Sequence, residues 1–193
     1  MKTLRIAVDI DDTITETFEY MMPYVAEFYH VDLEYLKKHN ISTSSLTDDM
    51  REKQAEFMNT YFESALLNVP IKEGAVFYLK KLKALGHKIF IVTARCENMC
   101  RGAYEKTKEF LEQNQIPFDE LINDYEKAKV CKEKKIDILI DDSVYNCEMV
   151  QNEGIPVLLF DCKSNENETV EEIPRVYNWE EIYCYLQNMC LKL

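Results

Sequence analysis

The sequence predicts an α/β fold in which a mostly parallel sheet is covered by helices on both faces and a helical segment is inserted after the first strand. Three observations predict it. Beyond residue 70, short apolar runs alternate with segments of helical periodicity, as in βαβ units. Between the first apolar run and residue 70, the spacing is mostly helical. The composition, 47% hydrophobic and 30% charged residues among 193, is that of a globular protein.

The first strand is predicted at Leu4–Ile10, a short apolar run that ends abruptly in acidic residues. Residues 15–70 are rich in aromatic residues and methionine at mostly helical spacing, with a polar break at residues 42–45. We therefore predict an insertion of about three helices. Its aromatic side chains form either the core of the insertion or a surface on which a base can stack.

The remaining elements alternate. A helix is predicted at 74–85 with Gly86 as its C-cap, then the strand Lys88–Thr93 and a helix at 97–114. The later strands are predicted near 121–122 and at 136–140 and 157–160, and the later helices at 126–135, 144–153 and 179–191. Residues 165–172 have the composition of an acidic loop.

The formal net charge of −12 argues against non-specific binding to a nucleic acid polymer, which depends on lysine and arginine, and argues weakly against binding to anionic membranes. No apolar run approaches the length of about 18 residues that a membrane helix needs. The seven cysteines form no CxxC pair, their number is odd, and the sequence carries no recognisable signal peptide. We expect reduced thiols and a cytoplasmic protein.

Polar residues follow three of the predicted strands at the point where each ends. Asp9 and Asp11 follow the first strand, Thr93 and Arg95 the second, and the pair Asp141-Asp142 the strand at 136–140. The carboxyl ends of parallel strands meet at one edge of a sheet, where ligands bind. Carboxylates crowded together there need a cation, and hard oxygen ligands without histidine or cysteine suit Mg²⁺.

Each of these residue types can take part in phosphoryl transfer. A carboxylate at Asp9 can attack phosphorus and form an aspartyl-phosphate. Asp11, two residues on, can protonate the leaving alcohol and later deprotonate the hydrolytic water. Thr93 offers a hydroxyl and Arg95 a cation to the phosphoryl oxygens, while Phe18 or Tyr20 lies close enough to the motif to touch a substrate.

A lysine is also needed to neutralise the phosphoryl group in the transition state. Five lysines crowd residues 127–135, and most of them belong to a solvated helix face. If Val130 and Cys131 face the core, Lys127 lies on the same side of the helix and Lys129 is turned away. The spacing therefore favours Lys127 and leaves Lys129 as the alternative.

The order Asp9-x-Asp11-x-Thr13, Thr93, Lys127 and Asp141-Asp142 resembles the four signature motifs of the haloacid dehalogenase superfamily, and the match covers nearly the whole chain. The resemblance implies a Rossmann-like core and Mg²⁺. It implies Asp9 as nucleophile, and as metal ligands Asp9, the backbone carbonyl of Asp11 and the acidic pair. Within that pair it favours Asp142 as the direct ligand, with Asp141 bound through water or paired with the lysine. The acid at Asp11 points to phosphoester hydrolysis rather than carbon–halogen cleavage.

The insertion stands where that superfamily carries a type 1 cap, which gives a core of residues 1–14 and 71–193 and a cap of residues 15–70. More narrowly, the motif blocks resemble bacterial nucleotidases related to 5′(3′)-deoxyribonucleotidases. Asp12 and Thr13 stand where those enzymes often carry glycine and a small aliphatic residue. We expect Asp12 to shape the turn and Thr13 to stiffen it through a local hydrogen bond.

The predicted function is Mg²⁺-dependent hydrolysis of a small phosphomonoester, with a nucleoside monophosphate as the first substrate class. Two alternatives stay open: a phosphatase for a sugar phosphate or another small metabolite, and a non-catalytic domain that binds Mg²⁺ and an anion. A homodimer is compatible with the sequence.

Overall fold

A computed structural model of the chain describes residues 2–39, 48–97 and 101–192. The described chain contains a six-stranded sheet in which every pair of neighbouring strands is parallel, in the order β3-β2-β1-β4-β5-β6. The strands are β1 Arg5–Val8, β2 Lys88–Thr93, β3 Glu120–Asn123, β4 Ile138–Asp141, β5 Val157–Phe160 and β6 Arg175–Val176. The α/β prediction is confirmed.

The strand order creates a switch point at β1. From β1 the chain continues to β2 and β3 on one side, and it then returns to β4 on the other side of β1. In open α/β sheets the crevice outside the carboxyl ends of the strands at such a point is where ligands bind. The carboxyl ends of β1, β2 and β4 therefore define the place to look for a site.

Helices cover both faces of the sheet. Those of the described chain are α1 Thr17–Tyr29, α2 Leu33–His39, α3 Asp48–Glu52, α4 Gln54–Phe57, α5 Glu63–Asn68, α6 Ala75–Ala84, α7 Ala103–Gln113, α8 Lys127–Glu133, α9 Val144–Asn152 and α10 Trp179–Lys192. One core packs β-strand side chains against Leu82 of α6, Phe110 of α7 and Ile182 of α10. The other packs the opposite face against Val130 of α8 and Val150 of α9.

The insertion is helical, and its described residues contain five helical segments, α1 to α5, where about three helices were predicted. A turn of wider, π-type helix at Met58–Phe62 joins α4 to α5. The small core of the insertion contains Phe18, Met22 and Leu36. The predicted polar break at residues 42–45 lies outside the described residues.

The chain enters and leaves the insertion through two segments that bind each other. Thr15 and Ile71 form an antiparallel bridge. The Glu16 N–H donates to the carbonyl of Pro70 at 2.9 Å, and the Lys72 ammonium lies 2.8 Å from the Glu16 carboxylate. These contacts fix where the insertion begins and ends on the core. The exact limits of core and cap, residues 1–14 with 71–193 and residues 15–70, stay predictions.

Two further details differ from the prediction. The helix expected at 97–114 is found at Ala103–Gln113, and residues 98–100 of that prediction lie outside the described residues. The Glu97 carboxylate accepts a hydrogen bond from the Gly102 N–H at 2.9 Å, just before the first turn. Strand β6 was not predicted, because two residues are too few to show a period. Within the described chain, no helix combines the length and the apolar character that crossing a bilayer requires.

Candidate active site

The carboxyl edge of the sheet brings together residues that are far apart in the sequence. Asp9 directly follows β1, and its N–H donates to the Ile140 carbonyl at 3.0 Å, so the β1–β4 pairing extends to the site. Thr93 is the last residue of β2, and Asp141 is the last residue of β4. All three lie at the switch point that the strand order creates.

Lys127, the first residue of α8, binds two of these carboxylates. Its Nζ lies 2.5 Å from Asp9 Oδ1 and 2.6 Å from Asp141 Oδ2. The side chain is 4% exposed, and although burial lowers the pKa of the ammonium, the two carboxylates raise it above its ordinary value. Lys129 lies on the surface, where it contacts Glu126 at 3.5 Å. Of the two lysines that the sequence left open, the structure brings Lys127 into the site.

The Asp141 carboxylate is held by further donors. Its Oδ1 accepts the Ser143 N–H at 2.9 Å and the Asn146 side-chain amide at 3.1 Å. Ser143 is also the N-cap of α9, since its hydroxyl accepts the Asn146 N–H. Sequence reasoning missed Asn146. Its position in the first turn after a capping serine, five residues beyond Asp141, was the available signal.

The carboxylate of Asp142 has fewer partners. Its Oδ2 lies 3.8 Å from the Cys162 sulfur, and its backbone carbonyl accepts the Asn165 side-chain amide at 2.7 Å. One ligand oxygen each from Asp9, Asp141 and Asp142 can lie within 4.8 Å of one another, a grouping that could hold a metal ion.

Burial and repulsion between neighbouring carboxylates raise the pKa values of Asp9 and Asp142. Burial and the charges of Asp141 and Asp11 raise the pKa of Asp9 to about 7, against the lowering effect of Lys127. Burial, followed by the charges of Asp141 and Asp9, raises the pKa of Asp142 well above its ordinary value. A divalent cation beside these oxygens would favour their ionised forms.

Asp11 faces a different cation. The Arg95 guanidinium binds it in a fork, with Nε 2.9 Å from Oδ2 and Nη2 2.6 Å from Oδ1. The Thr17 hydroxyl, at the start of α1, donates to Oδ1 at 2.7 Å. Burial raises the pKa of Asp11, but Arg95 and Thr17 outweigh it and lower the pKa below its ordinary value. Arg95, predicted to bind phosphate, therefore binds Asp11 through two of its three guanidinium nitrogens, Nε and Nη2.

The turn after β1 is shaped by the residues that follow Asp11. Asp12 has a φ of 55°, a left-handed conformation that aspartate adopts more readily than most residues. Its carboxylate accepts the Phe18 N–H at 2.8 Å, near the beginning of α1. Thr13 makes its local hydrogen bond through the backbone, where its N–H donates to the Ile10 carbonyl at 3.3 Å, whereas its buried hydroxyl has no partner among the described residues. The Thr15 hydroxyl also stiffens the turn, by donating to the Ile10 carbonyl at 3.0 Å.

The other two predicted substrate residues lie in different surroundings. Thr93 is fully buried, and its hydroxyl accepts the Arg95 N–H at 3.4 Å. Phe18 packs with Met22 and Leu36 in the small core of the insertion, and only 9% of it is exposed. The structure thus brings Thr93 to the edge that carries the carboxylates and places the Phe18 ring among apolar cap residues.

Comparison with known proteins agrees with this geometry. The sequence model of the family described as "5' nucleotidase, deoxy (Pyrimidine), cytosolic type C protein" matches residues 2–191. The chain belongs to this family. It is 28% identical over 204 residues to Nucleotidase CA_C3379 of Clostridium acetobutylicum, an alignment that covers 95% of this chain and 93% of that protein.

Solved structures share the fold. A crystal structure of a predicted phosphatase from Clostridium acetobutylicum superposes with a TM-score of 0.68 at 14% identity, covering 97% of this chain and all of that one. The haloacid dehalogenase-like hydrolase SP0104 from Streptococcus pneumoniae gives a TM-score of 0.66 at 14% identity and covers 96% and 99%. The predicted Rossmann-like fold and the predicted resemblance to nucleotidases are confirmed. So is the enzyme class, a phosphomonoester hydrolase of the 5′-nucleotidase type.

Proposed function

We propose that the chain is a Mg²⁺-dependent nucleotidase that hydrolyses nucleoside or deoxynucleoside monophosphates through an aspartyl-phosphate on Asp9. The observation that carries the proposal is the buried Asp9–Lys127–Asp141 contact at the carboxyl ends of β1 and β4. Burying three charges is costly, and proteins accept that cost mainly where the charges act. In phosphoryl transfer they position the phosphoryl group and neutralise it.

Mg²⁺ fits the donor set that these residues offer. Asp9 and Asp142 supply carboxylate oxygens, and Asp141 completes the acidic group. Because Asp141 is already bound by Lys127, Ser143 and Asn146, we assign direct ligation to Asp9 and Asp142, with the Asp11 carbonyl as a further ligand, and a supporting role to Asp141. When bound, the ion polarises the phosphoryl oxygens and screens the charge of the nucleophile.

The first step transfers the phosphoryl group to the protein. An Asp9 oxygen attacks phosphorus while the bond from phosphorus to the ester oxygen breaks. Lys127 and the Thr93 hydroxyl bind the phosphoryl oxygens as charge spreads over them. Asp11 gives its proton to the departing oxygen, so the first product leaves as a neutral alcohol.

The second step restores the enzyme. Asp11, now a carboxylate, takes a proton from a water molecule as the water oxygen attacks the phosphorus of aspartyl-phosphate. The bond from Asp9 to phosphorus breaks, inorganic phosphate leaves, and both aspartates return to their starting states. Over the two steps one water is consumed, and no net proton is gained or lost by the protein.

The preference for a nucleotide over a sugar phosphate is supported by the insertion. Rings of Tyr20 and Tyr24 lie 5.5 Å apart between centroids, and those of Tyr24 and Tyr61 lie 5.3 Å apart. All three side chains are half-buried, and Tyr20 lies one turn along α1 from Thr17, which contacts Asp11. Aromatic faces stack on any nucleobase, with about 1–3 kcal/mol per base.

The proposal is tested by phosphate release from 5′- and 3′-nucleoside and deoxynucleoside monophosphates and from sugar phosphates, with Mg²⁺ or with a chelator. We expect turnover only with the metal, and kcat/KM at least about tenfold higher for the preferred nucleotide than for the sugar phosphates. Tyr24→Ala should reduce that preference, whereas Tyr145→Ala, at a tyrosine 69% exposed on α9, should leave it unchanged. Equal turnover of both substrate groups would point to a general metabolite phosphatase.

A further inference from the structure

The two oxygens of the Asp11 carboxylate accept different numbers of hydrogen bonds. Oδ1 accepts two hydrogen bonds, from Arg95 Nη2 at 2.6 Å and from the Thr17 hydroxyl at 2.7 Å, whereas Oδ2 accepts one, from Arg95 Nε at 2.9 Å. An ionised carboxylate offers about four lone-pair positions, two on each oxygen. Arg95 and Thr17 therefore fill both positions on Oδ1 and leave one on Oδ2.

Arg95 is itself held rigidly enough to impose this arrangement. Its side chain is 2% exposed, and its guanidinium carbon lies 5.5 Å from the centroid of the Phe110 ring on α7. The Asn123 side-chain amide, at the end of β3, donates to the Arg95 carbonyl. The planar guanidinium fork matches both oxygens of a carboxylate at once, which fixes the rotation of the Asp11 carboxylate as well as its position.

The Asp11 side chain remains reachable from solvent, since 35% of it is exposed while Arg95 behind it is buried. Arg95 therefore covers one side of the carboxylate and leaves another side open. Proton transfer to a leaving oxygen requires the donor oxygen at hydrogen-bond distance and correctly oriented.

We propose that Arg95, assisted by Thr17, is a positioning residue that orients Asp11 so that the free position on Oδ2 carries out proton transfer. This inference rests on the proposed hydrolase function and assigns Arg95 to the acid–base step, in place of the phosphate contact that the sequence predicted. One guanidinium nitrogen of Arg95, Nη1, has no partner among the described residues. Because that nitrogen could bind phosphate directly, the experiment also measures phosphate binding.

The test compares two esters that differ in their need for an acid. Nitrophenolate leaves from p-nitrophenyl phosphate with little protonation, whereas the alkoxide of a nucleoside 5′-monophosphate leaves only with a proton. The readout is kcat/KM for each ester, because it covers the steps up to departure of the alcohol and excludes hydrolysis of the aspartyl-phosphate. The ratio of the two values within one preparation is independent of the folded fraction.

For Arg95→Met we expect kcat/KM to fall about a hundredfold for the nucleotide, the lower end of what acid–base catalysis contributes, and less than about fivefold for the aryl ester. Arg95→Lys keeps the charge but loses the fork, so the ratio should lie between wild type and Arg95→Met. Inorganic phosphate should inhibit all three proteins with the same Ki.

Arg5→Met is the matched control. Arg5 also lies over a ring, with its guanidinium carbon 4.4 Å from the Phe90 centroid, but it stands at the amino end of β1, away from the carboxylates. Its substitution should leave the ester ratio at the wild-type value. Thr17→Val should shift the ratio in the same direction as Arg95→Met but less, and Thr17→Ser, which keeps the hydroxyl, should recover most of that shift.

The possible failures are distinct. If Arg95→Met lowered both esters equally and raised the Ki of phosphate, Arg95 would bind phosphate directly and the positioning role would be wrong. An equal loss with an unchanged Ki would mean that Arg95 only supports the fold, and would overturn the inference as well. A wild-type protein that turned over neither ester would instead overturn the proposed function, and the inference with it.

Discussion

The paired charged residues at the two edges of the sheet differ in how far their side chains are exposed to solvent. At the carboxyl edge, Asp9, Lys127 and Asp141 pair with side-chain exposures of 7%, 4% and 0%. At the amino edge, Asp119 pairs with Lys83 and Lys88, whose side chains are 27% and 56% exposed. Both edges belong to the same sheet, and they differ in how far solvent reaches the charged side chains.

Exposed ion pairs contribute about 0–1 kcal/mol each, because water and salt screen them. Buried charges lose their hydration, and their mutual attraction often fails to repay that loss. The amino edge is therefore built at little cost in stability, while the carboxyl edge is costly. Such a cost is expected where the charges have a chemical function, and the function proposed above assigns the catalytic residues to the carboxyl edge.

The sharpest way to separate the two edges is to remove one carboxylate from each. Asp9→Asn should lower turnover of p-nitrophenyl phosphate by more than about a thousandfold, because the amide cannot serve as the nucleophile. Asp137→Asn is the control at the amino edge, where the Asp137 carboxylate accepts the Arg5 N–H at 2.8 Å, and it should leave turnover nearly unchanged. Comparable losses in both variants would contradict the assignment of Asp9.

A smaller effect is expected on stability at the carboxyl edge. Lys127→Met leaves Asp9 and Asp141 buried without their cation, so the free energy of unfolding should fall by about 3 kcal/mol. Urea unfolding at neutral pH without divalent metal measures it. Lys129→Met, in the same helix but 58% exposed, should change the unfolding free energy by less than about 0.5 kcal/mol. Equal changes would show that the buried ion pairs are energetically equivalent to a surface contact.

The smallest expected effect is a pH dependence at the amino edge. His87 is 1% exposed, its Nδ1 accepts the Leu4 N–H at 3.0 Å, and burial lowers its pKa below the ordinary 6.5. The unfolded chain therefore binds a proton more readily than the folded one. The stability contributed by neutral His87 is fully present above 6.5 and is lost as the pH falls toward the lowered folded-state pKa.

His87→Gln isolates this contribution, since the buried acids at the other edge titrate in both proteins. Between about pH 7.5 and about pH 5.5, the unfolding free energy of the wild type should fall by about 1 kcal/mol more than that of the variant. Urea unfolding at the two pH values gives the difference. A variant that lost stability as steeply as the wild type would exclude His87 as the source.

Much of the fold was predictable because it depends on local periodicity. The alternation beyond residue 70 gave the order of strands and helices correctly, apart from β6 and the start of α7. Both misses arise where periodicity carries no information. Strand β6 is two residues long, and just before Ala103 the Gly102 N–H donates to a side chain, that of Glu97, rather than to the backbone carbonyl that a continued helix would offer.

The sequence predicted which residues meet at the ends of the strands, but it did not predict which of them bind each other. The ends of β1, β2 and β4 identified the residues, and helical spacing preferred Lys127, which contacts Asp9. The partners of Arg95 and the donors to Asp141 were not predictable. Arg95 and Asp11 are 84 residues apart, and no short-range pattern connects them.

The sequence by itself therefore determined the α/β class, the superfamily motifs and the set of acidic residues at the strand ends, because these follow from periodicity and from the chemistry of each residue type. The tertiary structure alone decided how those charges are shared: Lys127 between Asp9 and Asp141, and Arg95 on Asp11. The physical reason is that ion pairing depends on distance and burial. Only the packed sheet fixes both, with Arg95 against Phe110 of α7 and Lys127 at the start of α8.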